Sequence, residues 1–94
     1  MEVFFSPRAE YDIRAAVSYY QTIHRTIAER FVEEMESLLR VIEEHPDSFQ
    51  RVNQNSSIRR AVMHHFPHII AYDRTDKAIM VLRVRSAKQD IANL

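Results

Sequence analysis

Not one of the 94 residues is glycine. Glycine is the residue that visits positive φ at no steric cost, so any turn needing that geometry falls to Asn or Asp. Asn53, Asn55 and Asp76 are the candidates. No Gly-rich loop exists to bring backbone amides up to a phosphate, which excludes P-loop and dinucleotide-binding fingerprints. What remains for such a chain is long regular elements joined by short polar connections.

The periodicities define those elements. Glu2 to Ser6, rich in Val and Phe, reads as a short strand. Ser6 is a good N-cap, and Pro7 fits the first helical position because its missing N–H has no partner there anyway. Ala9, Ile13, Ala16, Tyr20 and Ile23 recur at helical spacing and predict a helix over residues 7–23. A second helix is expected over 27–45, opened by a capping box of Thr26 and Glu29 and closed by Pro46. Ala28, Phe31, Met35, Leu38, Leu39 and Ile42 line its apolar face, with Glu33, Glu34, Glu36, Glu43 and Glu44 opposite as a solvated face. After a polar loop come three strands, 58–65, 68–74 and 78–85, the last two joined as a hairpin by Asp73 to Ala78. Met80, Leu82 and Val84 are expected to face the helices, and Ile79, Val81, Arg83 and Arg85 to face away. Two amphipathic helices need a sheet to bury their joint apolar surface. The expectation is therefore an α+β domain spanning residues 1–94, ordered β-α-α-β-β-β, with a helical hairpin on one face of a small antiparallel sheet.

Ninety-four residues suffice for one modest core. There is no cysteine, which leaves neither a disulfide framework nor a thiolate metal site and fits a cytoplasmic protein. The N-terminal apolar run, Val3 to Phe5, is too short for a signal peptide, and no later stretch could span a bilayer.

The net charge is zero, but its distribution is uneven. Residues 1–50 carry 5 basic and 10 acidic side chains, whereas residues 51–94 carry 8 basic and 3 acidic. The second half also holds His64, His65 and His68. His64 and His65 are adjacent in a predicted strand and so point to opposite faces. With no acidic partner close in sequence they do not compose a zinc set, and neither metal nor cofactor is expected. The chemistry open to them is acid–base: His64 or His65 as general base, with cations such as Arg59 and Lys88 holding a phosphodiester. Arg59, Arg60, Arg83, Arg85 and Lys88 are equally candidates for a charged contact surface. Tyr19 falls off the apolar stripe and is expected to be exposed; Tyr20 and Tyr72 belong to the core.

Ala9, Asp12, Ile13 and Tyr20 on the first helix, and Ala28, Arg30, Phe31, Leu39 and Pro46 on and after the second, resemble the RelE/ParE toxins of bacterial toxin–antitoxin modules. So does the run Arg59, Phe66, Pro67, His68, Ile70, Tyr72, followed by the hydrophobic strand Ile79 to Val84. The resemblance spans nearly the whole chain and implies the β-α-α-β-β-β fold. It also implies a cognate antitoxin that lies along apolar surface, masks the basic sheet and forms a hetero-oligomer with the toxin. ParE-like members poison DNA gyrase by binding, and RelE-like members cut messenger RNA in the ribosome. Ile69 stands where the nucleases carry an arginine, Ser86 where they commonly carry a histidine, and Lys88 matches only partly. These positions favour the ParE-like reading. The alternatives are a ribosome-dependent endoribonuclease and an interaction module without toxicity. His68 replaces the usual tyrosine of the Phe-Pro-Tyr turn, which implies a structural role.

Overall fold

The computed structural model describes residues 1–87. The elements run β1 (Glu2–Phe5), α1 (Pro7–Ile23), α2 (Arg25–Glu44), β2 (Arg59–Val62), β3 (His68–Arg74) and β4 (Ala78–Ser86). The strands form one sheet in the order β1-β4-β3-β2. β2–β3 and β3–β4 pair antiparallel, while β1 lies parallel to β4, so the sheet is mixed. The helical hairpin packs on one face. Between the layers lie Ala9, Ala16 and Tyr20 from α1, Ala28, Phe31, Met35, Leu39 and Ile42 from α2, and Ile70, Tyr72, Ile79, Val81 and Val84 from the sheet.

Ser6 caps α1 as expected, its Oγ accepting the Ala9 N–H at 3.0 Å. The start of α2 differs. His24, in extended geometry, ends α1 by donating its N–H to the Tyr20 carbonyl, and its Nδ1 accepts the Thr26 N–H at 3.0 Å to begin α2. One residue thus caps two helices. The predicted capping box does not form, and Glu29 pairs with Arg25 one turn back. Nor does any described residue take positive φ. The turns are built by side chains instead: Asn53 Oδ1 accepts the Asn55 N–H, Ser56 Oγ that of Ile58, and Thr75 Oγ1 those of Lys77 and Ala78.

The facing of β4 is the larger correction. Ile79 and Val81 are fully buried under the helices, whereas Met80 is 39% exposed. The ladder pairs Tyr72 with Val81 but Ala71 with Arg83, which leaves Leu82 as an extra residue. Such a bulge resets the alternation, so Val84 returns to the core face despite its even number. Strict two-residue counting across the bulge put Met80 and Leu82 on the wrong side. The bulge lies where β1 ends. Past the Phe5–Val81 pair, side chains of the α1 segment take over from the strand. Ser6 Oγ donates to the Leu82 carbonyl at 2.8 Å, and the Asp12 carboxylate accepts the Val84 N–H at 3.0 Å.

Candidate functional site

The face of the sheet away from the helices carries the positions expected to work. Cross-strand partners share a face, so the register places Arg60, Val62, Ile69, Ala71 and Arg85 together. At its centre Ile69 and Ala71 are buried, with Ile58 packed against them. Toward β1, Phe4 and Met80 sit opposite one another and are both exposed. Toward β2, Arg60 and Val62 are exposed. The surface is an apolar strip with charge at its rim.

The cations do not converge on it. Arg59 turns to the other side, where its Nη1 donates to the Phe49 carbonyl at 2.6 Å and Nη2 lies 4.0 Å from Asp47. It clamps the loop after α2, as does Arg74 through its own 2.8 Å pair with Asp47. Tyr72 secures the same loop, its hydroxyl donating to the Pro46 carbonyl at 2.6 Å. Burial pushes that phenol up to about 12, partly offset by Arg59. Arg83 is drawn into a two-pronged pair with Asp12. Arg85 is half-buried opposite Ile69. Lys88 lies outside the described residues.

The three histidines do not form one centre. β2 ends at Val62, so His64 and His65 stand in the turn before β3 rather than in the strand. Glu34 is the reason. Its carboxylate accepts the N–H of His64 at 3.1 Å and of His65 at 3.2 Å, and meets His65 Nδ1 at 2.6 Å. Partial burial alone would raise the Glu34 carboxyl, but the His65 ring and the backbone donors outweigh it and hold it below its usual range. The carboxylate orients the His65 ring, which itself is exposed. By sequence alone Glu34 belongs to the solvated face of α2. Its spacing from Phe31 and Leu38, three before and four after, marks it instead as the flank of the buried stripe. Asp12 carries the same signal, standing between Ala9 and Ala16.

His68 belongs to an aromatic cluster, with ring centroids 5.0 Å from Phe31 and 5.9 Å from Tyr20. Its Nδ1 is buried without a hydrogen-bond partner. Desolvation lowers its pKa below the ordinary histidine value, against a smaller opposing pull from Asp12. The structural role expected for His68 fits this packing. Tyr20 and Tyr72 are buried and Tyr19 is exposed, as their positions on the stripes required.

A helical hairpin on one face of a small mixed sheet, with an apolar strip and scattered charge on the other, defines a small α+β domain. The chain belongs to the family described as ParE toxin of type II toxin–antitoxin system, parDE, whose model matches residues 3–91. Among solved structures it is similar to a chain of the chromosomal ParDE TA system from P. aeruginosa, with a TM-score of 0.77 at 16% identity, covering 92% of this chain and 95% of that one. At that identity the likeness is one of fold. No curated protein matches by sequence.

Proposed function

We propose that this protein is the toxin of a type II toxin–antitoxin module, that it acts in the cytoplasm by binding DNA gyrase, and that a cognate antitoxin neutralises it. Family membership supports the toxin role, and the likeness to a structure from the P. aeruginosa ParDE toxin–antitoxin system supports an antitoxin partner. The observation that carries the binding reading is the fate of the cations. Arg59 and Arg83 are committed to internal partners, and the buried Ile69 occupies the middle of the sheet face. A phosphodiester at the middle of that face would meet the hydrocarbon of Ile69 and Ala71, with only Arg60 and Arg85 at its sides to answer the charge of its transition state. A binding toxin needs only the apolar strip and its charged rim.

One observation favours the endoribonuclease reading instead: Glu34 orients His65, as a carboxylate orients a general base. Induction without antitoxin separates the two. Filamentation and DNA damage, together with inhibition of gyrase supercoiling by the purified chain, support the binding toxin. An immediate translation block with ribosome-dependent cleavage, lost in His65→Ala, overturns it. No growth effect of any kind leaves the fold as a non-toxic interaction module.

A further inference from the structure

Arg83 is drawn away from the place its register gives it. In the ladder it stands opposite Ala71, and Arg60 stands opposite Ala71 from the other side. The three therefore share one row across the outer face of the sheet. Arg85 belongs to the next row, opposite Ile69. The Arg83 guanidinium instead turns to the edge of β4, past the point where β1 has ended at Phe5. There its Nε and Nη2 meet the Asp12 carboxylate at 2.8 and 3.2 Å.

We infer that the outer face holds a phosphate-binding site between Arg60 and Arg83, over Ala71, which Asp12 keeps closed. Adjacent strands lie about 4.8 Å apart, so the two arginines start roughly 10 Å from each other across β3. Two long side chains close that span from both sides. Ala71 puts only a methyl group between them, and it shares an apolar floor with Ile69. A guanidinium presents a fork of donors that matches a carboxylate or a phosphate alike. Asp12 thus occupies Arg83 in the way an incoming phosphate would.

The exchange favours a ligand of higher charge. The carboxylate carries one negative charge and reaches one arginine. A phosphate group carries about −1.5 to −2 at pH 7 and is reached by two. Little else has to move. The Asp12 bond to the Val84 N–H does not depend on the guanidinium, and Ser6 Oγ holds the Leu82 carbonyl separately. The edge of β4 therefore stays fastened while Arg83 swings to the row its register assigns. The inference concerns residues of this chain alone and does not rest on the choice of cellular target.

Calorimetric titration of the full chain with pyrophosphate, and with a short single-stranded oligonucleotide, tests this at low salt. Asp12→Asn keeps an acceptor for the Val84 N–H and removes the competing charge. It should bind pyrophosphate at least about tenfold more tightly than the parent. Adding Arg60→Gln should abolish the gain, and adding Arg83→Lys, which keeps the charge but not the fork, should remove most of it. Glu10→Gln, an equal change of charge on an exposed neighbour, should give none. A gain with pyrophosphate alone assigns the site to free phosphate compounds; a gain also with the oligonucleotide assigns it to a nucleic-acid backbone. Circular dichroism follows folding, and Asp12→Ser, whose hydroxyl also accepts, serves as a second variant. No gain in either folded variant, a gain untouched by Arg83→Lys, or an equal gain in Glu10→Gln overturns the proposal. So does failure of both Asp12 variants to fold, because the pair would then be architecture alone.

Discussion

Asp12 on α1 and Arg83 on β4, 71 residues apart, meet in a two-pronged ion pair of 2.8 and 3.2 Å, their side chains only 11% and 16% exposed. The same carboxylate accepts the Val84 N–H. The pair therefore does the work of a strand, closing the edge of β4 where β1 has ended. Asp12 in turn helps hold Arg83 fully charged, its hydrogen bonds outweighing the effect of burial.

Asp12→Ala should cost roughly 3–5 kcal/mol, the range for removing one partner of a largely buried pair and leaving the other charge unmatched. Asp12→Asn keeps an acceptor for the Val84 N–H and should cost visibly less. Urea denaturation of the two variants checks this. Equal losses would mean that the carboxylate's charge contributes nothing.

The bulge makes a sharp prediction about neighbouring residues in β4. Ile79→Ala empties a fully buried site and should cost roughly 2–5 kcal/mol. Met80→Ala, on the exposed side, should stay within about 0.5 kcal/mol. Thermal unfolding decides it, and the reverse order would restore the facing expected from simple alternation.

His68 ties stability to pH. Its pKa is lowered in the folded state, so the fold prefers the neutral ring and the unfolded chain takes up a proton first. This contribution is complete above the unfolded value of about 6.5 and is lost as pH falls through that value toward the lower folded pKa. His68→Phe removes both the titration and the unpaired Nδ1. Its stability should vary less between about pH 7 and pH 5 than the parent's, with about 1 kcal/mol gained from relieving the buried polar atom. A parallel pH profile for parent and variant would assign the dependence to another group.

Arg60 and Arg83 separate contact from architecture. Arg60 is exposed on the outer face, so Arg60→Glu should leave the melting temperature nearly unchanged while slowing association with antitoxin or target. The defect should shrink as salt rises, since exposed charges are screened beyond about 8–10 Å near physiological ionic strength. Arg83→Glu should instead lower the melting temperature outright, because it sets two carboxylates together at a largely buried point. Stopped-flow association and calorimetry on both variants make the comparison.

The sequence by itself determined the elements, their order and most of the core. Helical and strand periods report which side of an element is apolar, and that local quantity survived in Phe31, Ile42 and Tyr72, all fully buried. Ser6 and Pro7 marked the start of α1 because capping chemistry acts within a few residues. The resemblance in the motifs led to the family for the same reason, since the motif residues hold the fold: Ala9 and Tyr72 in the core, Asp12 at the edge of β4, Arg59 on the loop after α2.

Only the tertiary structure decided what the polar side chains do. Whether Arg59 and Arg83 are free cations depends on partners at Phe49 and Asp12, which no local pattern links to them. His64 and His65 left their strand because a carboxylate about thirty residues earlier claims their amides. The facing of β4 turned on one extra residue, inserted where β1 stops and two side chains of another segment finish the ladder. Apolar burial is non-directional and can be read from composition along a face. Hydrogen bonds and ion pairs are directional and short-ranged, so they are settled only when distant parts of the chain meet.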